Sequence, residues 1–198
     1  MDAALDGRLK ALIVTGYDIA LTTPGEARTR RALESLDLLV VLDLFHPETA
    51  ALAHVLLPAQ SSFEKDGTFT NAERRISRVR KVMEPRAGLA DWEVTVMLAN
   101  AMGYAMHYSH PSEIMDEIAR LTPTFRGVSF DKIDRLGSIQ WPCNDAAPEG
   151  TPTMHVGAFV RGKGKFFVTE YVPTTERTTR KYPLILTTGR ILSQYNVG

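Results

Sequence analysis

Three short apolar runs stand in the first part of the chain: KALIVT (residues 10–15), LLVVL (38–42) and HVLL (54–57). Each run ends at a glycine, an aspartate or a proline, which is typical of a buried strand. The segments between them, GEARTRRALES (25–35) and PETAALA (47–53), have the composition and starting residues of helices. This alternation predicts βαβ units and a parallel sheet, and the near-continuous apolar strands predict helices on both faces of that sheet.

Two further helices are predicted in the middle of the chain. One is DWEVTVMLANAM (91–102), with Asp91 as its cap, and the other is SEIMDEIARL (112–121), with Ser112 as its cap. Apolar residues recur at helical spacing in both, so one face of each helix should point inward. The residues on these faces are Val94, Met97, Leu98, Ala101, Ile114, Met115, Ile118 and Leu121.

The remaining segments lack such periodicity. Residues 59–71 are rich in turn formers, with a tight turn expected at Asp66-Gly67. Residues 162–172 are expected to form a turn that leads into a strand, and residues 182–190 a strand followed by a loop. A strand that has no partner after it in the sequence suggests that a further element begins there.

The composition excludes several classes of protein. The chain of 198 residues is 44% hydrophobic and 23% charged, which is typical of a globular protein. Lys plus Arg equals Asp plus Glu at 23 each, so nucleic acid is not the expected partner, because duplex binding depends on neutralising phosphates. The longest apolar run, residues 36–44, contains two aspartates and is too short to span a bilayer. No signal peptide is visible, and a cytoplasmic location is expected.

Metal and thiol chemistry have little support in the sequence. Cys143 is the single cysteine, so an internal disulfide, a CxxC redox pair and a cysteine set for an iron–sulfur cluster are all excluded within this chain. His107 and His110 are three residues apart, but no second pair accompanies them as a zinc site would require. We therefore predict neither a metal ligand nor a catalytic residue here.

Acidic residues follow the first two predicted strands. Asp18 lies in the loop predicted for residues 16–24, and Asp43 comes directly after the second strand. Ligands of open α/β sheets bind beyond the carboxyl ends of strands, near a switch in strand order. Gly16 would let the backbone approach a ligand closely, and a carboxylate there could accept hydrogen bonds from a ribose or a guanine. Alternatively, Asp18 caps a turn and Asp43 caps the next element.

The usual phosphate-binding loops are missing. The sequence contains neither G-x-G-x-x-G nor G-x-x-x-x-G-K-[ST], and RGKGK (161–165) has the wrong spacing for the second. A basic stripe could hold phosphates or pair with another subunit, or it could be a solvated face; the two interpretations have similar weight. It consists of Arg74, Arg75, Arg78, Arg80 and Lys81.

Several stretches together resemble the molybdopterin oxidoreductases, and the catalytic subunit of molybdenum-dependent formate dehydrogenases in particular. The pattern D/E-G-T-F-T-N-x-E-R-R in the central stretch is the most specific. The stretches are GYDIALT (16–22), LLVVLDLFHPETAALAHVLLPA (38–59), FEKDGTFTNAERRISRVR (63–80), DWEVTVMLANAMGY (91–104), SIQWPCND (138–145) and LTTGR (186–190). A related nitrate reductase is the alternative within the family. From the residues alone, a stand-alone module that binds a nucleotide or another protein stays open.

The resemblance implies an α/β fold: a Rossmann-like parallel sheet with flanking helices, an irregular extension and the first strand of a truncated β-barrel domain. The corresponding segments are residues 1–105, which would bind the dinucleotide, residues 106–180 and residues 181–198. The implied cofactor is molybdopterin guanine dinucleotide, two copies of which hold molybdenum or tungsten in the intact subunit. The iron–sulfur cysteines, the metal ligand and the active-site arginine of the family lie upstream of the part that this chain matches.

The resemblance also implies a function. The intact subunit would convert formate to carbon dioxide and pass two electrons to electron-transfer subunits, which are the expected partners together with the remainder of the same subunit. As an internal fragment, the chain should be inactive alone, and a large uncovered face would favour self-association. Besides Gly16, the cofactor-binding positions that carry over are Asp18, Thr22, Asp43, Pro58, Ala59, Asp91, Thr188, Gly189 and Arg190.

Overall fold

The structure, a computed structural model, describes residues 1–159, 161–189 and 191. The chain divides into two compact units, Met1–Met154 and His155–Gly198. All helices and strands assigned in the described residues belong to the first unit. Among those residues, none of the helices has the length and apolar character needed to cross a membrane.

A parallel sheet forms the first half of the larger unit. Its strands are β1 (Ala11–Thr15), β2 (Leu38–Asp43) and β3 (Val55–Pro58), and they lie in the order β1-β2-β3. Both pairs are parallel, with Val14 opposite Val41 and Val41 opposite Leu56. The predicted βαβ units and parallel sheet are therefore confirmed, and each strand lies within a residue of its expected position.

Helices cover one face of this sheet. The elements are α1 (Asp2–Leu5), α2 (Ile19–Thr22), α3 (Glu26–Glu34) and a 3-10 helix (Glu48–Leu52). Their apolar residues pack with alternate strand residues in one core, whose members are Ala4, Val14, Ala20, Ala32, Leu33, Leu36, Leu39, Val41 and Ala50. The segment 16–24, predicted as a loop, therefore contains the short helix α2, because Asp18 caps it at its start.

The opposite face of the sheet is buried only at Val40 and Leu42 in β2, so helices on both faces are not confirmed for the described residues. Ile13, Leu38 and Val55 lie on this face and are each more than 40% exposed. The strand order gives the reason. Parallel crossovers are almost always right-handed, and two successive crossovers in the same direction place their helices on the same side. A switch in strand order, which these three strands do not have, would place a helix on the other side.

A second, antiparallel sheet follows, which sequence analysis missed. Its strands are β4 (Gly67–Thr70), β5 (Arg75–Val79) and β6 (Ser138–Gln140), in the order β4-β5-β6. The tight turn predicted at Asp66-Gly67 is wrong, because Gly67 already pairs with Val79. The chain turns instead between Asn71 and Arg75, whose backbone groups are hydrogen-bonded at 3.0 Å.

Helices α4 (Asp91–Ala101), α5 (Pro111–Leu121) and α6 (Phe130–Leu136) and a 3-10 turn (Pro123–Phe125) complete the unit. Ile76 of β5 packs with α5, α6 and β6 in a second core, whose members are Ile76, Met115, Val128, Phe130, Ile133, Ile139 and Cys143. The two predicted helices α4 and α5 exist within about one residue of their expected bounds.

The predicted caps of α4 and α5 are corrected. The cap of α4 is Ala90, and Asp91 is the first helical residue. The cap of α5 is His110, whose Nδ1 accepts a hydrogen bond from the backbone N–H of Ser112. Pro111 takes the first helical position, where its missing N–H costs nothing.

The predicted inward faces of these helices are only partly correct. No residue of α4 is buried, and Met97 is 59% exposed. In α5, Met115 is buried as expected, whereas Leu121 is 74% exposed and Ala119 is buried in addition. The apolar face of α4 is thus only partly covered, with Val94 and Leu98 half-buried and Met97 and Ala101 exposed.

The second unit contains little regular structure in its described part. Phe159 and Gly162 form an isolated antiparallel bridge, but no strand is assigned in residues 163–172, where one was predicted. Described residues 182–189 also lack the predicted strand. The expected β-barrel domain therefore stays a prediction.

The basic stripe joins the second sheet to the segments around it. Arg74 has a φ of +65°. Its guanidinium donates hydrogen bonds to the carbonyl oxygens of Trp141, Thr151 and Pro152. These bonds hold residues 141–152 against the hairpin formed by β4 and β5. Arg74 therefore has a structural role that neither interpretation of the stripe foresaw.

Arg78 has a similar role. Its side chain is only 10% exposed and forms ion pairs with Asp66 at 2.8 Å and Asp134 at 2.9 Å. The guanidinium also lies 3.8 Å from the ring centre of Phe130, a cation–π contact. The other basic residues bond within the chain as well: Arg75 to Glu73, Arg80 to Asp134 and Lys81 to Glu84.

Candidate functional site

The carboxyl ends of the three parallel strands meet at one edge, which we call the strand-end edge. The backbone N–H of Gly16 donates to the oxygen of Leu42 at 2.9 Å, and that of Ala59 donates to the oxygen of Asp43 at 3.0 Å. Asp43 itself pairs with Pro58 in the sheet register. The structure therefore brings Gly16, Asp43, Pro58 and Ala59 together, as the predicted topology requires.

Gly16 suits the close approach of a ligand. Its φ of +60° lies in the left-handed region that favours glycine. A Cβ atom built on it would meet nothing within 4 Å, so the space above this backbone is open. A side chain here would be strained and would also fill that space.

Asp18 is held by four hydrogen bonds. Its carboxylate accepts from the backbone N–H groups of Leu21, Glu48 and Thr49 and from the Thr49 hydroxyl, the last at 2.6 Å. Burial by itself raises the pKa of the Asp18 carboxyl and is the largest contribution, but the hydrogen bonds together outweigh it and lower the pKa below the ordinary 3.8. The alternative prediction gave Asp18 the cap of a turn; in the structure Asp18 caps the short helix α2 instead.

Thr22 and Thr49 complete this network. The hydroxyl of Thr22 donates to the backbone oxygen of Asp18 at 2.6 Å, while Thr49 is fully buried and its hydroxyl accepts from the N–H of Ala20 at 2.9 Å. The network ties α2 to the 3-10 helix beside the strand-end edge. Sequence reasoning missed Thr49, because one threonine in a short helix carries no distinguishing pattern.

The carboxylate of Asp43 accepts fewer hydrogen bonds than that of Asp18. It is half-buried, and within the described residues its carboxylate accepts one hydrogen bond, from the backbone N–H of Phe45 at 3.2 Å. A carboxylate has room for about four such bonds. Asp43 can therefore accept hydrogen bonds from a ligand without losing a structural partner.

Asp91 is the first residue of α4 and lies beside the strand-end edge. Its Oδ1 accepts from the backbone N–H of Gln60 at 2.8 Å, and its own N–H donates to Oε1 of Gln60 at 3.2 Å. Its Oδ2 lies 2.9 Å from the ammonium of Lys65. Because Gln60 directly follows Ala59, Asp91 stands next to the end of β3.

A small cavity lies beside Asp91. Its volume is about 170 Å³, and the residues that line it include Gln60, Lys65, Asp66, Phe69, Asp91 and Trp92. Sequence reasoning did not single out Gln60, Lys65, Phe69 or Trp92. The family pattern around residues 63–80 and 91–104 was the signal that could have pointed to three of them.

A larger cleft of about 330 Å³ shares Gln60 with this cavity. Carboxylates line it, but they already bond within the chain. Glu64 accepts from the N–H groups of Ser61 and Arg86, and Glu93 accepts from that of Ala90. We place the candidate site at the smaller cavity and the strand-end edge, because Asp91 lines that cavity and is bonded to Gln60 at the end of β3.

The remaining carried-over positions fall outside the first unit. Thr188 and Gly189 belong to the second unit, where both are exposed, and Arg190 lies outside the described residues. Cys143 is fully buried in the second core, and burial raises the pKa of its thiol. The described residues contain no group of three His, Cys, Asp or Glu side chains that could hold a metal ion.

The parallel sheet with helices packed on it places the chain in the class of α/β proteins. Within that class, the chain belongs to the molybdopterin oxidoreductase family, whose family model matches residues 1–101. The resemblance noted in the sequence is thereby confirmed, and the family consists of oxidoreductases.

Curated relatives match almost the whole chain. The alpha subunit of F420-dependent formate dehydrogenase 2 of Methanococcus maripaludis is 42% identical over 196 residues, which are 96% of this chain and 29% of that subunit. The alpha subunit of the F420-dependent formate dehydrogenase of Methanocaldococcus jannaschii is 40% identical over the same shares of the two chains. A putative formate dehydrogenase of Staphylococcus haemolyticus is 39% identical, and the match covers 20% of its length. The chain thus spans less than a third of these relatives.

Among solved structures, acetylene hydratase from Pelobacter acetylenicus is similar in fold. The TM-score is 0.55 over 71% of this chain and 20% of that one, with 20% sequence identity. At this identity the likeness supports the α/β fold alone.

Proposed function

We propose that this chain is part of the catalytic subunit of a formate dehydrogenase, and that its strand-end edge binds the nucleotide portion of a molybdopterin guanine dinucleotide. The family match and the names of the curated relatives support the enzyme class. They also favour formate dehydrogenase over the nitrate reductase alternative. The remainder of the subunit and electron-transfer subunits are the proposed partners.

The observation that supports the binding proposal is the position of Asp91, which is hydrogen-bonded to Gln60 just after the end of β3. Asp43 ends β2, and Asp91 reaches the same edge through its reciprocal hydrogen bonds with Gln60. Two carboxylates that are far apart in sequence therefore stand at the edge where open α/β sheets bind nucleotides.

The residues at the edge fit a guanine nucleotide. Asp43 has unused acceptor capacity for ribose hydroxyls, and the Asp91 carboxylate borders a cavity with aromatic walls. Gly16 leaves open space for the backbone to approach the ligand. Asp18 and Thr22 support this edge indirectly, because their side chains fix α2 and the 3-10 helix.

This chain contributes binding and orientation. When bound, the molybdopterin group supplies the metal centre that takes two electrons from formate. Asp43 and Asp91 would hold its nucleotide end, and the hydrogen bonds from Gln60 would keep the Asp91 carboxylate in place. A fixed nucleotide end limits the positions that the reacting end can take.

Replacing either carboxylate should weaken nucleotide binding. We expect Asp43→Asn and Asp91→Asn each to raise the Kd for GDP about tenfold, because each change removes a charge-assisted hydrogen bond. Asparagine keeps one acceptor oxygen, so the bonds from Phe45 and Gln60 can survive. Isothermal titration calorimetry with the 198-residue chain measures the effect.

Asp116→Asn, at an exposed position of α5, is the matched control and should leave the Kd unchanged. Arg78→Ala is unsuitable as a control, because that side chain holds two aspartates and the Phe130 ring. Equal GDP affinity in the unaltered chain and both edge variants would contradict the proposal.

The chain by itself should not oxidise formate. Its described residues contain no clustered metal ligands, and the thiol of Cys143 is buried with a raised pKa. The expected result is formate-dependent dye reduction at the level of a buffer control, measured with the purified chain. Reduction clearly above that level would show that the chain carries a reaction centre of its own.

A further inference from the structure

A groove of about 450 Å³ lies between α5 and the start of α6. Three of the side chains that line it are cationic and one is acidic, so we call it the basic groove. The residues that define it are Asp116, Ala119 and Arg120 of α5, Arg126 and Val128 of the connection, and Lys132 of α6. None of them lines the cavity beside Asp91, so the basic groove is separate from the candidate site.

The two guanidinium groups of the basic groove have weak partners within the chain. Arg120 lies 3.7 Å from Glu117, and its side chain is 71% exposed. Arg126 lies 3.9 Å from Asp145, and its side chain is 61% exposed. Contacts of this length are not hydrogen bonds, and exposed ion pairs contribute little stability. A new anion could therefore take either guanidinium from its present partner at little cost.

Lys132 places a third charge at the same groove. Its Nζ donates to the backbone oxygen of Pro148 at 2.9 Å. A neutral carbonyl group thus fixes the position of the ammonium without neutralising its charge. An ammonium has three donors, so others remain for a ligand.

The basic stripe differs from the basic groove in how its charges are paired. Arg78 and Arg80 lie within 2.9 Å of Asp134, and Lys81 lies 2.8 Å from Glu84. Carboxylates of the chain itself therefore neutralise the stripe. Because the net charge of the whole chain is zero, the basic groove is a local positive surface and not part of a generally basic protein.

The shape and charge of the basic groove favour an extended protein segment as its occupant. Small-molecule sites enclose most of their ligand, whereas the arginine side chains here are largely exposed. Nucleic acid fits poorly, because Asp116 would face a row of phosphates. A flat lipid surface cannot reach the base of the groove, where Ala119 and Val128 are buried.

We propose that the basic groove docks an acidic segment of a partner protein. Carboxylates of that segment pair with Arg120, Arg126 and Lys132, and the parallel donors of each guanidinium match a carboxylate. Charge pairs at an exposed surface chiefly raise the association rate and select the partner. This docking does not depend on the proposed nucleotide site, with which the groove shares no residue.

Fluorescence anisotropy of a labelled peptide of ten glutamates, titrated with the 198-residue chain at low salt, tests the docking. The unaltered chain should bind the peptide. The double variant Arg120→Gln/Arg126→Gln should bind it about tenfold more weakly, because two charge-assisted pairs are lost.

The matched control is the double variant Arg31→Gln/Arg135→Gln. Both arginines are exposed and helical, but neither lines the basic groove. The two double variants change the net charge by the same amount, so any general attraction weakens equally in both. The control should keep the peptide affinity of the unaltered chain within about twofold. Circular dichroism shows whether each variant keeps its fold.

Equal weakening in the two double variants would mean that general charge attracts the peptide, and it would overturn the proposal. Absence of peptide binding to the unaltered chain would overturn it as well. A calorimetric titration with inorganic diphosphate identifies the alternative ligand. Diphosphate binding that is lost in Arg120→Gln/Arg126→Gln, without peptide binding, would assign the groove to a small phosphate compound instead.

Discussion

Gly150→Ala should lower the free energy of unfolding by about 4 kcal/mol. The φ of Gly150 is +99°, and a Cβ atom there would lie 2.6 Å from the backbone oxygen of Gln140 and 3.2 Å from its nitrogen. Neither backbone atom can move without breaking β6 or the bond from the Thr151 N–H to the same oxygen, which measures 2.8 Å. Backbone strain at the positive φ and steric overlap with Gln140 therefore both contribute to the loss of stability.

Thermal unfolding followed by circular dichroism measures this loss, and we expect the Tm to fall by about 10 °C for a chain of this size. Gly137→Ala separates the two causes. Gly137 has φ +79° at the end of α6, but a Cβ there meets nothing within 4 Å. It should cost only the backbone strain, about 1 kcal/mol. Equal losses in the two variants would show that the contact with Gln140 is unimportant.

Asp18→Ala should lower the free energy of unfolding by about 3 kcal/mol. The change leaves the N–H of Thr49, a fully buried residue, without its acceptor and removes the partner of the Thr49 hydroxyl. It also removes the cap of α2. Urea unfolding of the two proteins measures the difference, and a loss below about 1 kcal/mol would mean that water replaces the carboxylate.

The same network predicts a dependence on pH. The pKa of Asp18 is lowered in the folded chain, so its stabilisation is complete above the unfolded value, near 3.9, and is lost as the pH falls through the lower folded value. Below about pH 4, the unaltered chain should therefore lose stability more steeply than Asp18→Asn, which does not titrate. Parallel slopes for the two proteins in acid would contradict this role of Asp18.

The parallel sheet was predictable because its information is local. Each strand is a continuous apolar run, and the segments between the runs have helix-forming composition. The exposed part of this face was not predictable from such runs. The middle of β2 is buried between two strands, whereas Leu38 at its start and Ile13 and Val55 on the outer strands remain exposed. Apolar composition specifies burial, but the direction of successive crossovers decides which face is covered.

The antiparallel sheet was missed for a different reason. Ile76 is fully buried, but its neighbours in β5 include Arg75 and Arg78, whose charges suggest a solvated segment. The Arg78 guanidinium is neutralised by Asp134, 56 residues later. Local sequence cannot reveal a partner at that distance.

Part of the candidate site could be predicted from the sequence. Gly16 and Asp43 follow from the rule on strand ends, whereas the place of Asp91 came from the family resemblance. Neither signal showed that Gln60 would hold Asp91 or that Lys65 would pair with it, since these contacts depend on the return of α4 to the end of β3. For Asp18, a capping role was predicted, but the turn that it was expected to cap is the short helix α2.

The wide spacing of the Arg74 contacts has a consequence for synthesis on the ribosome. The three described strands of the parallel sheet have been made once Pro58 is reached. In contrast, β5 pairs with β6 only after residue 140 has been made, and Arg74 can bond to Thr151 only 77 residues after its own synthesis. During this interval the edge of β5 is unpaired and could join strands of other chains. Positive charges that flank an apolar strand residue oppose such pairing. The arginines around Ile76 would thus protect the nascent strand before they fasten the finished one.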